Sequence, residues 1–201
     1  MSTASLVFAQ RTDTGLKRQS NEDSVISILP EDQQVMANKG ALFVVADGMG
    51  GHTRGDVASQ LAVNTLRDAY YQDESGSLRT SLRLAMEQAN TRIYEKNAAE
   101  SPRAKPEKPM ATTCIAAVVR GDTLYVANVR TSPLSACYVL IIPFGAACFH
   151  EEERKLFFCL SGNTQLYIGN DKGCGGRSCV GARELQSRRA ALYIAVVPGC
   201  I

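Results

Sequence analysis

The order of predicted elements indicates an α+β fold, because strands come first, two helices follow and strands then return. A continuous apolar run at residues 41–46 has the short length and β-branched content of a buried strand. Residues 57–70 and 78–93 carry apolar side chains at helical spacing. Runs at 113–120 and 123–128 are strand-like, and the turn between them suits a hairpin. A parallel α/β sheet would instead alternate strands with helices.

The remaining elements of the first 129 residues follow from local signals. Residues 6–10 and 24–29 are predicted strands, and Pro30 ends the second. Asp56 is predicted to be the N-cap of the first helix. Gly76 and Ser77 separate the two helices, and residues 101–109, with three prolines, are predicted to form a loop.

Composition changes near residue 130. Six of the seven cysteines follow that point, whereas Asp171 is the only aspartate beyond it. Residues 138–142, 155–160, 165–168 and 191–197 are candidate strands whose order the pattern does not define. The predicted division is therefore an N-terminal unit at residues 1–129 and a divergent tail at 130–201.

Bulk properties exclude several classes of protein. The chain has 201 residues, a formal net charge of +2, 45% hydrophobic and 21% charged residues, which are ordinary values for a soluble globular protein. This balance does not favour nucleic acid or a membrane surface as a partner. The start lacks the pattern of a secretory signal, and the most apolar window, residues 136–149, is too short to span a bilayer. A cytoplasmic monomer is expected.

The most informative stretch is the one that follows the predicted strand at 41–46. Asp47 ends this apolar run, and Gly48 begins a glycine-containing segment that precedes a helix. Glycine lets a backbone approach a ligand closely, and hard cations such as Mg²⁺ and Mn²⁺ prefer carboxylate, carbonyl and water oxygens. A metal site with Asp47 and the Gly48 carbonyl as ligands is one interpretation. A tight turn with a capping aspartate is the equally weighted alternative.

A second polar cluster opens the predicted strand at 24–29. Glu22 and Asp23 are adjacent carboxylates, which are costly together unless a cation or solvent lies near them. Arg18, four residues before Glu22, carries a guanidinium suited to bidentate phosphate binding. Taken alone, this stretch is read more readily as a solvated charged turn.

Together, these stretches resemble the bacterial form of the metal-dependent serine/threonine protein phosphatases (PPM-type, protein phosphatase 2C-like). The resemblance covers about residues 7–129, and its motifs occur in the family's order and spacing. They are the arginine followed by Asn-Glu-Asp at 18–23, Phe-Val-Val-Ala-Asp-Gly-Met-Gly-Gly-His at 43–52, Ala-Ser-Gln-Leu-Ala-Val at 58–63, Ala-Thr-Thr at 111–113 and Leu-Tyr-Val-Ala-Asn-Val at 124–129.

The resemblance implies a sandwich of two antiparallel β-sheets flanked by helices, with a two-metal centre holding Mn²⁺ or Mg²⁺. By resemblance, Asp47 bridges the two metals, the Gly48 carbonyl binds one of them, and Glu22 and Asp23 act mainly through metal-bound waters. Arg18 would bind the substrate phosphate. His52 is a candidate proton donor, with a structural role at the helix start as the alternative. The resemblance also implies that the substrates are phosphorylated proteins and that the chain opposes a serine/threonine kinase.

The tail departs from the family pattern. Where the family has Gly-Asp-Ser-Arg, this chain has Arg-Thr-Ser-Pro at 130–133, so that Thr131 replaces an aspartate, and the family's later Ser-Asp-Gly and Asp-Asn motifs are absent. We therefore expect a fold and a metal centre incomplete at the C-terminal end, and a frame change or recombination is our hypothesis for its origin. Three readings remain open: an active phosphatase, an impaired pseudo-phosphatase acting as a binding module, and a misfolded product. Free thiols are favoured over structural zinc for the tail cysteines.

Overall fold

A computed structural model of the chain describes residues 5–14, 20–49, 54–100 and 109–129, together with the backbone of four strands in the tail. The strands are β1 (Ser5–Thr12), β2 (Asp23–Ile28), β3 (Ala41–Met49), β4 (Ala111–Arg120), β5 (Thr123–Val129), β6 (Tyr138–Pro143), β7 (Lys155–Ser161), β8 (Thr164–Asn170) and β9 (Ala190–Val197). The helices are α1 (Gln33–Lys39), α2 (Gly55–Gln72) and α3 (Leu78–Glu100).

The α+β fold class is confirmed, and so is each predicted strand, including the four in the tail. The third strand is three residues longer than predicted, since its pairing with β4 continues through Asp47 and Gly48 to Met49. The second predicted helix extends to Glu100. The hairpin between β4 and β5 turns at Gly121, whose φ of 58° is one that glycine adopts without a steric penalty.

Two local predictions differ from the structure. The prediction that Asp56 is an N-cap is wrong: α2 begins at Gly55, and Arg54 occupies the N-cap position. Helix α1 was not predicted, because none of its residues is buried and an apolar stripe is missing. It is defined by its ends instead, where the Asp32 side chain accepts hydrogen bonds from two backbone amides and Gly40 terminates it with a φ of 75°.

The strands form two sheets. One sheet has the order β2-β3-β4-β5-β6 with every neighbouring pair antiparallel, and the other has the order β1-β9-β8-β7. The second sheet departs from the expected antiparallel pattern at one place, where β8 and β9 are parallel. Phe8 of β1 packs on Phe43 of β3 with ring centroids 5.5 Å apart, so the two sheets face each other as a sandwich.

Strand β3 is buried on both faces and separates two layers of the core. Leu42, Val44 and Ala46 face α2 and α3, whereas Phe43 and Val45 lie in the layer shared with the β1 side. This two-sided burial explains the continuous apolar run at 41–46, since alternation would be expected only if one face met water. Within the described part of the chain, the helices are too short or too polar to cross a membrane.

Candidate functional site

Two carboxylates and a hydroxyl lie in one row across β2, β3 and β4. Asp23 is the Cα partner of Asp47, and Asp47 is in turn the partner of Thr113. Directly opposed residues share a face, and the two-residue period places Asp47 on the face of Phe43 and Val45, between the sheets. Asp23 is only 8% exposed. The fold thus brings two predicted site residues together at one end of the sandwich.

Gly48 provides the contact between this sheet end and helix α2. A Cβ added at Gly48 would lie 2.0 Å from the Gly55 carbonyl oxygen and 2.5 Å from the Glu22 carbonyl oxygen. The Gly48 amide also donates a hydrogen bond of 3.0 Å to the Glu22 carbonyl. A side chain is therefore excluded here by close backbone packing, a reason for glycine beyond the carbonyl ligand that the sequence motif indicated.

Glu22 lies between the strand end and the start of α2. A Cβ added at Gly55 would lie 3.1 Å from the Glu22 carboxylate oxygen Oε1. The positive end of the helix dipole is located at this first residue, so the position suits a carboxylate. The Glu22 carboxylate is accordingly placed as a partner for the helix start, and Glu22 directly precedes Asp23 in the chain.

Three residues, at the start of α2, on β4 and on β5, were not assigned a role from sequence. One is Gly55, which the sequence shows only as a glycine shortly before the apolar helical pattern at residues 57–70. Thr113 is another: its hydroxyl accepts a hydrogen bond of 3.4 Å from the Asp47 amide. Asn128 of β5 pairs with Ile115 on the inner face, and its Oδ1 is buried without a hydrogen-bond partner among the residues that the structure describes.

An ion pair joins the residue before α2 to the end of α3. The Arg54 guanidinium contacts the Glu100 carboxylate, and the two side chains are 35% and 31% exposed. The hydrogen bond to Glu100 raises the pKa of Arg54 above its usual value, and the same contact lowers the pKa of Glu100. Both groups are therefore charged at neutral pH.

Arg18 and His52 lie outside the described residues, so phosphate binding by Arg18 and proton donation by His52 stay predictions. The side chains of the tail, including Asp171 and the cysteines after residue 130, also lie outside them.

The donor chemistry at the sheet end fits a hard divalent cation in part. Two opposed carboxylates repel each other, and a divalent cation held by them would remove that cost. Within residues 5–14, 20–49, 54–100 and 109–129, however, no three Asp, Glu, His or Cys side chains come close enough to hold an ion. The described residues thus do not by themselves form a complete metal site.

Comparison with known proteins gives a consistent family. Residues 19–129 match the family model described as protein phosphatase 2C. The chain is 34% identical over 126 residues to the serine/threonine phosphatase stp of Listeria monocytogenes, covering 61% of this chain and 46% of that protein. It is also 34% identical over 131 residues to the serine/threonine protein phosphatase PstP of Mycobacterium tuberculosis, covering 65% of this chain and 22% of that protein.

A solved structure supports the two-sheet architecture. The crystal structure of the Mycobacterium tuberculosis serine/threonine phosphatase PstP/Ppp aligns with 97% of this chain and 74% of its own, at 24% identity and a TM-score of 0.50. At this identity the similarity concerns the fold alone. The chain spans about half the length of the Listeria relative.

Proposed function

The chain belongs to the protein phosphatase 2C family, and from this premise we propose that it hydrolyses phosphoserine and phosphothreonine in proteins with the help of Mn²⁺ or Mg²⁺. The observation that carries the proposal is the pairing of Asp23 with Asp47 across β2 and β3, on the face between the sheets. The names of the two relatives, both serine/threonine phosphatases, support the substrate class.

Asp47 and Asp23 would hold a divalent cation, with Glu22 acting through water and the Gly48 carbonyl as a further ligand. When bound, such cations lower the pKa of a coordinated water and stabilise negative charge on phosphoryl oxygens. The chain's own contribution is to keep the carboxylates opposed on rigid strands. Thr113 supports this arrangement through its contact with the Asp47 backbone, at 3.4 Å from the amide and 3.5 Å from the carbonyl oxygen.

Two further roles belong to the proposal on the strength of the family motif. Arg18 would bind the substrate phosphate through its guanidinium, which can donate two parallel hydrogen bonds. His52 would donate a proton to the leaving oxygen, since an unperturbed imidazole titrates near pH ~6.5. We also propose that residues 1–129 form the phosphatase unit and 130–201 a divergent tail. The family match supports this division, since it ends at residue 129.

Hydrolysis of a phosphothreonine peptide by the full chain, with and without manganese, tests this function. Asp47→Asn removes a charge without changing shape, and it should lower kcat/KM by about a hundredfold or more, because even outer partners of metal sites cost 10–100-fold. Asp122→Asn is the matched control, since Asp122 is an exposed carboxylate in the β4–β5 turn. If both variants keep the parent's activity, Asp47 is not a ligand and the proposed site is wrong.

The second candidate function is a binding module: residues 1–129 would keep the phosphatase fold and bind phosphorylated proteins without hydrolysing them. It is favoured by the replacement of the family's Gly-Asp-Ser-Arg with Arg-Thr-Ser-Pro at 130–133 and by the two-carboxylate row in the described part. Calorimetric titration with manganese separates the two functions when it is combined with the peptide assay. Manganese binding and phosphopeptide binding without phosphate release would identify the module, whereas manganese-dependent release would identify the enzyme.

We propose a cytoplasmic monomer that opposes a serine/threonine kinase. The named relatives support the opposition to kinases, since their substrates are phosphorylated on serine or threonine. Co-expression with a candidate kinase, followed by measurement of total phosphothreonine with the parent and with Asp47→Asn, tests this part of the proposal.

A further inference from the structure

The position of the first turn of α2 is set by tertiary contacts. Its N-cap residue, Arg54, makes no side-chain capping hydrogen bond, although four amides at a helix start need partners. Gly55 instead packs its carbonyl group against Gly48 and lies beside the Glu22 carboxylate. Any movement of this turn would therefore change the space around Glu22 and the backbone next to Asp47.

Arg54 directly precedes this turn and is tied to the opposite end of the neighbouring helix. Its partner, Glu100, is the last residue of α3. The end of α3 is itself fixed to the sheet, because the Asn97 side chain donates to the Met110 carbonyl at 2.9 Å and accepts from the Met110 amide at 3.0 Å. Strand β4 begins one residue after Met110 and carries Thr113, the partner of Asp47.

The signs of the two charges are the reverse of what each helix favours. A helix start is stabilised by a negative charge and a helix end by a positive one, yet Arg54 lies at the start of α2 and Glu100 at the end of α3. Local helix stability therefore does not account for either residue. Exposed ion pairs also contribute little to folding. Their contact with each other, one residue before the Gly55 that lies beside Glu22, is the feature that remains to be explained.

We infer that the Arg54–Glu100 ion pair is a positioning element, which holds the first turn of α2 against Gly48 and Glu22 and so sets the affinity of the neighbouring carboxylates for a divalent cation. This inference rests on the proposed function. It assigns a role to two residues that contact neither the substrate nor the cation. It also links the site to the end of α3 through one contact that can be broken without altering a ligand.

Calorimetric titration of the full chain with Mn²⁺ tests the inference. Arg54→Met keeps the length of the side chain and removes its charge, and Glu100→Gln removes the partner's charge. Each should raise the Kd for manganese by up to about fivefold, because an exposed ion pair can strengthen the site by no more than its own small contribution. The matched control is Arg83→Met, which breaks the exposed Arg83–Glu87 pair within α3, at 2.6 Å, and should leave the Kd unchanged.

A charge exchange separates positioning from general destabilisation. Arg54→Glu combined with Glu100→Arg restores the ion pair and gives each helix end its favoured charge, so the Kd should return to within about twofold of the parent while the melting temperature is maintained or raised. Thermal melts in metal-free buffer should show equal, small shifts for Arg54→Met and Arg83→Met. A selective rise in Kd together with recovery in the exchange variant supports the inference.

Two results would overturn it, and they differ in what else they imply. If the parent binds manganese and Arg54→Met binds it equally well, the pair has no positioning role and the proposed function stands. If the parent itself binds no manganese, the metal-dependent function fails and the inference fails with it. The parent titration therefore distinguishes the two failures before any variant is compared.

Discussion

Gly48→Ala is the substitution for which the structure gives the sharpest expectation. The added Cβ would lie 2.0 Å from the Gly55 carbonyl oxygen, 2.4 Å from its carbonyl carbon and 2.5 Å from the Glu22 carbonyl oxygen. Comfortable non-bonded carbon contacts begin at roughly 3.5 Å, so the backbones must separate by more than about 1 Å. All three contacts are with backbone atoms, and no side-chain rotation can relieve them.

The cost follows from two contributions. Overpacking of this kind costs about 1–3 kcal/mol, and weakening of the hydrogen bond from the Gly48 amide to Glu22 costs about 1 kcal/mol more. We expect the free energy of unfolding to fall by about 3 kcal/mol, which for a chain of this size lowers the melting temperature by roughly 6–12 °C. The movement also displaces the first turn of α2 from Glu22, so the affinity for manganese should fall as well.

Thermal and urea unfolding of the metal-free chain measure this cost against two other glycine substitutions. Gly76→Ala places its Cβ in open space at a φ of 73°, so it should cost only about 1 kcal/mol of backbone strain. Gly55→Ala meets the Gly48 carbonyl carbon at 3.0 Å and the end of the Glu22 side chain at 3.1 Å, and an intermediate cost is expected because a side chain can shift more easily than backbone. If Gly48→Ala is no more destabilising than Gly76→Ala, the argument from close packing is refuted.

Two pH dependences follow from groups remote from the site. Hydrogen bonds from Ser75 and Ser81 hold the pKa of Asp73 below 3.8. The ionised Asp73 therefore contributes fully to stability above pH 3.8, and this contribution is lost as the pH falls further. Thermal melts of Asp73→Asn should show a smaller drop in melting temperature on acidification than melts of the parent. Burial raises the pKa of Tyr71 from 10.0 to about 12. The protonated phenol therefore contributes fully to the stability of the folded chain below pH 10.0, and this contribution is lost as the pH rises towards 12. Alkaline melts of Tyr71→Phe should therefore be flatter over that interval, and an equal slope would contradict the assignment.

Elements with a continuous or periodic apolar pattern were predictable from sequence. Strand β3 could be identified because both of its faces are buried, and α2 because Ala62 and Leu66 belong to one apolar stripe. Helix α1 was not predicted because none of its side chains is buried, and the residues that indicate a helix are only Asp32 and Gly40 at its ends. Short exposed helices depend on such end signals, which also occur in ordinary turns.

At the start of α2, a tertiary contact overrides the local preference for an N-cap residue. Asp56 has the chemistry of an N-cap, and its carboxylate does accept a hydrogen bond of 2.8 Å from the Val57 amide. The helix nevertheless begins two residues earlier than an N-cap at Asp56 would allow, at Gly55, which packs against Gly48. Gly48 and Gly55 are only seven residues apart, but their contact depends on how β2 and β3 pair, so helix propensity alone could not reveal it.

The candidate site was predictable as a set of motifs, but the geometry that joins them was not. Glu22 and Asp47 were identified separately, each with a plausible turn as an alternative. The observation that favours a site is the register of β2 on β3, which opposes Asp23 and Asp47 and is set by non-local pairing. A shift of one residue would have placed the two carboxylates on opposite faces of the sheet.

The same register limits how much cation charge the described part of the site can neutralise. Asp23 and Asp47, on adjacent strands, balance the charge of one divalent ion, while Glu22 is displaced towards the start of α2. A second divalent ion would bring the total to +4 and would have Glu22 and water as its main partners. In this family the remaining carboxylates come from motifs that this chain lacks beyond residue 129. On the proposed assignment, residues 1–129 would therefore favour one bound ion over two, because the cost of an incompletely neutralised cation is electrostatic.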